Sequence, residues 1–156
     1  MARGRAPGCL RDTWREMGEE STTPDLVALM RRRADAGDSG DVDAMTRFFA
    51  SDGVWDASPM GLEVYEGQAA IRRFFADWWG SYEEAGVEAE EIVDFGNGVT
   101  FTVVILKGRL IASGGDISLR YAAVTEWVEG KVVRDTNYTD IDTARAVAEQ
   151  LAASRG

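Results

Sequence analysis

Gln68 to Asp94 reads QAAIRRFFADWWGSYEEAGVEAEEIVD, and the spacing of its apolar residues changes partway along. Ile71, Phe74, Phe75, Trp78 and Tyr82 recur at three- and four-residue steps, which gathers them on one face of a helix from about Gln68 to Tyr82. From Val87 the period becomes strand-like. It predicts strands at Val87 to Asp94, Val99 to Lys107, Ile117 to Val128 and Lys131 to Thr139, with Glu129-Gly130 as the hairpin turn between the last two. An aromatic helix face followed by hairpin-linked strands implies an α+β domain in which helices pack on one face of a largely antiparallel sheet. To cover that aromatic face the sheet must curve, and a curved sheet with a capped mouth encloses a pocket.

Upstream, Thr23-Pro24-Asp25 offers an N-cap hydroxyl, a proline at the first helical position and an acid near the positive helix end. Leu26, Leu29, Met30 and Ala34 form the apolar face of the helix that follows, and Gly37 to Gly40 end it. Asp41 caps a second helix through Val42, Met45, Phe48 and Phe49. Ser51-Asp52-Gly53 reads as a turn, and Val54 to Ala57 as a short strand closed by Ser58-Pro59-Met60-Gly61. Asp140 to Ala153 forms a C-terminal helix with Asp140 or Asp142 as cap and Ala144, Val147, Ala148 and Leu151 along its stripe. Residues 1–23 carry no sustained period and read as a loosely held tail, and Met17 would begin a compact domain equally well. Residues 24–156 form the domain.

Composition narrows the chemistry. A chain of 156 residues with 45% hydrophobic and 28% charged residues suits one globular core. A formal net charge of -10 repels phosphate backbones and anionic membranes, so neither nucleic acid nor membrane is expected as a partner. No apolar run reaches the length of a bilayer span and the N-terminus has no signal-type apolar segment, so a cytoplasmic location is expected. The single Cys9 rules out an internal disulfide and a cysteine-cluster metal site, and no metal or cofactor is expected. With no histidine there is no Ser-His-Asp or Cys-His nucleophile pair, so acid–base chemistry would fall to carboxylates, Tyr, Lys or polarised water.

Three motifs carry a family resemblance. GDVDAMTRFFASDGVW, Gly40 to Trp55, resembles the "GDLDAL…FADDVVW" run that opens SnoaL-like and ketosteroid-isomerase-like proteins. YEGQAAIRRFF, Tyr65 to Phe75, is similar to their "YRGREAIRAFF", and WVEGKVVRDTNYTD, Trp127 to Asp140, to their "FEDGKIVEHWxYxD". Taken in order, the three resemble the SnoaL-like branch of the nuclear transport factor 2-like superfamily over Leu26 to Leu151. The resemblance implies a cone built from a curved antiparallel or mixed sheet on three helices, with an apolar pocket and a further C-terminal helix.

It also subtracts function. Where limonene-epoxide-hydrolase-like members hold water with tyrosine and asparagine, this chain has Trp55 and Ala57. Their Arg-x-Asp pair falls on Val104 and Leu106, and their water-activating aspartate on Asn137. The ketosteroid isomerase base matches Ala57, the pocket acid falls near Ala123 and the helix-one tyrosine near Met30; Asp56, one residue along the strand, points to the opposite face from Ala57.

What remains is one pair and a lining. Asp135 and Asn137 lie two apart on a strand and share a face, at the place where SnoaL-like cyclases carry an acid or histidine. Desolvation of a carboxylate in an apolar cup disfavours its charged form and suits it to general acid or base work. The bland alternative is an Asp paired with an arginine such as Arg120 or Arg134. The resemblance places Trp55, Trp78, Tyr82 and Tyr121 towards the pocket, where they either line a site for a flat ligand or simply fill the core. It places Ala57, Val104, Leu106, Leu119 and Ala123 beside them. The acidic run Glu83 to Glu91 and the basic runs Arg31-Arg32-Arg33 and Lys107-Gly-Arg109 read as solvated faces.

Two functions stay open. One is a cofactor-free enzyme that isomerises, cyclises or hydrates a small apolar molecule, with Asp135 as acid or base and Asn137 and Tyr121 orienting water or carbonyl. The other is a non-catalytic ligand-binding or scaffold domain that has lost the family's acids. In both, the expected partners are a small hydrophobic ligand and a second copy of the chain bound through the sheet.

Overall fold

The computed structural model describes residues 25–155. Asp25 itself caps the first helix by accepting the Ala28 N–H at 3.1 Å, a correction to the expected cap at Thr23, which with Pro24 and the tail lies outside the described residues. Helix α1 runs Leu26–Ser39 and α2 Val42–Arg47, where Asp41 accepts from Ala44 as expected. Phe48 ends α2, and Phe49 opens strand β1, Phe49–Asp56, instead of continuing the helix.

The expected turn at Ser51 to Gly53 lies inside β1, at an irregularity in its pairing. A Cβ on Gly53 would sit 2.9 Å from the Val132 carbonyl oxygen, so the missing side chain is what lets β1 close on its neighbour. Turn chemistry and close backbone approach both select glycine, and sequence alone does not separate them. After a 3-10 turn at Ser58–Met60 comes a strand the sequence did not announce, β2, Val64–Glu66. Helix α3 covers Gln68–Gly80 and ends before Tyr82, which begins β3, Tyr82–Gly96. Strands β4, Val99–Leu110, β5, Asp116–Val128, and β6, Lys131–Tyr138, follow as expected, and α4 spans Ile141–Arg155 with Asp140 accepting from Thr143 at its start. Between β5 and β6, Glu129 at φ 51° and Gly130 at φ 79° give the two left-handed residues that a tight hairpin needs.

The six strands form one curved, unclosed sheet in the order β2-β1-β6-β5-β4-β3, antiparallel throughout except for the parallel β1–β6 pair. Its concave face holds the main core: Leu26 and Met30 of α1, Met45 of α2, and Ile71 and Phe75 of α3 close on Phe49, Trp127 and Val132. The helix-three stripe read from the sequence is thus the one buried. Full burial of a side chain such as Ile71 is worth roughly 1.5–3 kcal/mol.

The expectation of helices on one face holds for α1 to α3 and fails for α4. That helix lies on the convex face, its Ala144, Ala148 and Ala152 set against Val99, Phe101 and Val103 of β4 and Ala122 and Val124 of β5. Alternation along β4 and β5 thus feeds two cores, odd positions of β4 outward and even positions inward. Arg145 ties α4 to β3 through Glu91 at 2.9 Å and lies over Phe101 at 4.5 Å, so the acidic run is in part an ion-paired face; Glu90 likewise pairs with Arg120.

Candidate functional site

Strand register builds the inner surface in rows. Thr100, Thr125, Asp135 and Trp55 are successive partners across β4, β5, β6 and β1; the next row is Thr102, Ala123 and Asn137; Val104 with Tyr121 and Leu106 with Leu119 come after. In the second row the small Ala123 lies between two polar side chains and leaves space that a larger residue would fill. Helix α1 roofs this space with Met30, Arg33, Ala34 and Gly37, and α3 adds Phe75 and Trp79.

The result is a cavity of about 70 Å³. An apolar cavity of about 150 Å³ holds benzene, so this space by itself takes only a few heavy atoms. A second hollow of about 30 Å³ lies beyond Trp55, Trp79 and Tyr121, which line both, and is closed by Ala57, Met60, Leu62, Phe74, Trp78, Leu106 and Leu119. Trp79 is fixed by its Nε1–H, which donates to the Gly37 carbonyl at 3.0 Å. Trp55 packs edge-on against Phe75 at 5.2 Å, while its Nε1–H has no hydrogen-bond partner among the described residues.

The sequence-derived candidates divide accordingly. Asp135, Asn137, Tyr121, Trp55, Val104 and Ala123 line the inner cavity. Ala57, Trp78, Leu106 and Leu119 line the outer hollow with Trp55 and Tyr121. Tyr82 lines neither: it sits at the start of β3 against Gly108, whose Cβ, if present, would meet the Tyr82 ring at 2.8 Å. Met30, Met45, Phe75, Trp79 and Thr102 belong to the inner lining without having been singled out for it.

Arg33 is the residue that most changes the reading. The expectation that Arg31-Arg32-Arg33 is solvated holds for Arg31 and Arg32, but Arg33 turns inward, its side chain 10% exposed, and donates from Nη2 to Asp135 Oδ2. Asp135 is 1% exposed, and its Oδ1 accepts from the Thr125 hydroxyl at 2.9 Å. Both carboxylate oxygens therefore have donors. The expected arginine partners bind elsewhere: Arg134 holds Asp56 at 2.5 Å and Arg120 holds Glu90. Arg33 also lies 5.0 Å over the Phe49 ring, which supports its charge from the apolar side. A sequence signal for this existed. Arg33 is seven residues from Leu26 and three from Met30, so it sits on the buried stripe of α1, where a charge requires an opposite partner.

Two more of the residues that line the same space carry polar atoms without partners among the described residues. Asn137, fully buried, donates from Nδ2 to the Asp135 carbonyl at 3.2 Å and the Asp56 carbonyl at 3.4 Å, while its Oδ1 has no partner among the described residues. The Thr102 hydroxyl, also fully buried, has none either. Burial and the nearby Asp135 carboxylate push the Tyr121 phenol well above its usual range, against a smaller opposing effect of Arg33, so Tyr121 remains protonated at neutral pH. The site is an apolar cup with a charge-neutral ion pair at its edge and unspent hydrogen-bonding capacity on its floor.

Asp56 serves a different end. As expected from strand alternation it points away from Ala57, accepting from the Ser58 N–H and hydroxyl at 2.9 and 2.6 Å and from Arg134. Among the described residues no three carboxylate or thiol side chains converge as a metal site, and no helix is long and apolar enough to cross a membrane.

Comparison with solved structures places this architecture among known ones. A "putative aromatic ring hydroxylase" from Novosphingobium aromaticivorans superposes with a TM-score of 0.65 at 25% identity, covering 72% of this chain and 85% of that one. A hypothetical protein with a ketosteroid isomerase-like fold from Catenulispora acidiphila, solved with trimethylamine, superposes with a TM-score of 0.64 at 17% identity over 81% of this chain and 93% of that one. Among curated proteins no match is found. The SnoaL-like domain profile matches residues 30–135, which take in α1 from Met30, Thr102 and Ala123 of the cavity floor and Asp135, and stop short of Asn137. The chain belongs to the SnoaL-like domain family.

Proposed function

We propose that this protein binds a small, mainly apolar molecule inside the cone, with one polar group of that molecule seated on the floor formed by Thr102, Ala123 and Asn137. The observation that carries this reading is the coexistence of an apolar lining with three buried polar atoms, Trp55 Nε1, Thr102 Oγ1 and Asn137 Oδ1, that have no partner among the described residues. An unpaired buried polar group costs roughly 1–3 kcal/mol, and a bound molecule that pairs with it recovers part of that cost. A flat or ring-shaped carbon skeleton suits the aromatic walls of Trp55, Phe75, Trp79 and Tyr121, and would extend past Trp55 and Tyr121 into the outer hollow, because the inner cavity alone takes only a few heavy atoms. The Novosphingobium relative, whose name attaches it to aromatic rings, supports the same class of ligand.

The test is a thermal-shift screen with small cyclic alcohols, phenols and ketones against wild type and Ala123→Phe. A ligand at about 100 times its Kd adds roughly 2.7 kcal/mol of stability to wild type. The variant, with the floor filled, should show no shift. Equal shifts in both proteins would remove the cavity as the binding place.

A second reading, cofactor-free proton transfer with Asp135 as base or acid, is favoured by one observation: a carboxylate 1% exposed borders an apolar cavity together with a protonated phenol. Against it stands the pairing of both Asp135 oxygens, since a base must first be released from Arg33 and Thr125. The two readings separate on one variant. In an enzyme Asp135→Asn abolishes turnover and leaves ligand binding; in a binding protein no turnover exists to lose.

A further inference from the structure

We infer that Asn137 sets the hydrogen-bond polarity of the ligand: the group that reaches the cavity floor must carry an O–H or N–H, and hydroxyl compounds are selected over the corresponding ketones. This rests on the binding reading above and specifies it. The orientation of the amide decides the matter. Oxygen and nitrogen of an asparagine side chain are assigned from their partners. Here Nδ2 faces two main-chain carbonyl oxygens, those of Asp135 and Asp56, and rotating the amide by half a turn would place Oδ1 against both acceptors. The amide is thereby locked with Oδ1 as the free atom, fully buried and without a partner among the described residues. Asn137 lines the cavity, so what its side chain has left for a ligand there is an acceptor.

Thr102 complements it from the other side of Ala123 in the same cross-strand row. Neighbouring strands lie about 4.8 Å apart, so the Thr102 and Asn137 backbones are separated by roughly 10 Å across β5, a gap that the two side chains and one bridging polar atom can span. The Thr102 hydroxyl is likewise buried and unpartnered. A ligand hydroxyl over the Ala123 methyl would donate to Asn137 Oδ1 and accept from the Thr102 O–H, satisfying both orphaned atoms with one group. A ketone oxygen could accept from Thr102 but has no hydrogen for Asn137, and would leave that oxygen desolvated and unpaired. Binding sites built on such buried polar atoms discriminate strongly against the analogue that lacks the matching hydrogen.

The experiment uses 2-propanol and acetone, nearly equal in size and small enough for the inner cavity, titrated into the full-length protein with Kd read by NMR. Wild type should bind the alcohol at least about tenfold more tightly, the penalty of one unpaired buried acceptor. In Asn137→Leu the two affinities should converge. In Thr102→Val the alcohol should weaken yet keep its advantage, because the bond to Asn137 survives. If Asn137→Leu fails to fold, the wild-type ratio and Thr102→Val still decide. Equal affinities, a preference for the ketone, or an alcohol preference retained in Asn137→Leu would overturn this inference and leave the binding reading intact. Failure of both compounds to bind would overturn the two together.

Discussion

Arg33 and Asp135 show how much depends on a single residue's direction. A buried ion pair is costly to assemble, but removing one member leaves the other charge stranded in an apolar setting. Arg33→Met should therefore lower the unfolding free energy by about 3–5 kcal/mol, and the double variant Arg33→Met, Asp135→Asn should recover most of that loss; urea unfolding of both reads the difference. Were the single variant as stable as wild type, Asp135 would have to be served by other donors. Thr102→Val makes the opposite point. Its hydroxyl has no partner among the described residues, so replacement by an isosteric methyl should leave stability unchanged or raise it within about 1 kcal/mol, while weakening alcohols in the cavity. Asp135 and Asn137 were legible as sharing a face because alternation along a strand fixes faces, and the family resemblance set Tyr121 beside them. The partner of Asp135 was not, since helix α1 is about a hundred residues away in the chain and only packing brings it there.

At the level of elements, the strand and helix periods located every long element, and the departures from them have local causes. Phe48 and Phe49 continue a helical spacing from Val42 and Met45, yet α2 stops at Arg47 because Phe49 is claimed by the sheet, fully buried beside Val132. A six-residue helix has too little internal hydrogen bonding to resist such a claim. Strand β2, three residues long, is too short to show a period at all. Helix α4 rests on the sheet through Ala144, Ala148 and Ala152, whose small side chains let its backbone come close. Enlarging the middle one should be felt: Ala148→Leu is expected to cost about 1–3 kcal/mol by overpacking, measurable as a lower melting temperature, without altering ligand affinity in the concave cavity. A loss of binding in that variant would show that the two cores are coupled through the sheet.

For the whole molecule, charge gives the pH behaviour. The sequence has no histidine, so no side chain with an ordinary pKa titrates between about pH 5 and 8, and stability should be nearly flat there. On the acid side, burial of Asp56 works against its charged form, but hydrogen bonds from Ser58 and the Arg134 guanidinium outweigh it and hold the carboxyl below its usual range. A depressed folded value means that its contribution is complete above the unfolded value, about 3.9, and is lost as pH falls through the folded one. Asp56→Asn should flatten that part of the acid unfolding curve. On the alkaline side Tyr65, Tyr82, Tyr121 and Tyr138 are all raised by burial, so their contribution is complete below about pH 10 and fades above it. Unfolding monitored by circular dichroism from pH 2 to 12 should thus show a plateau with two falling edges; a transition near pH 6.5 would contradict this assignment. Assembly is also a property of the whole chain. The apolar half of the convex sheet is covered by α4, so pairing of two copies through the sheet would use the half carrying Glu90, Ile105 and Arg120. In such a dimer Arg120→Glu should lower the mass found by light scattering, and an unchanged mass would exclude that surface.

Sequence by itself determined what is periodic or chemical in kind: the α+β class, the aromatic face of α3, the shared face of Asp135 and Asn137 and the absence of imidazole chemistry, because each is a matter of residue type and spacing along the chain. Only the tertiary structure decided which charge meets Asp135, which way the Asn137 amide turns, how far Trp55 and Tyr121 divide the hollow, and that α4 covers the opposite face. Those are contacts between segments far apart in the chain, and they depend on the curvature of the sheet and the volumes left between packed side chains, quantities that no local pattern encodes.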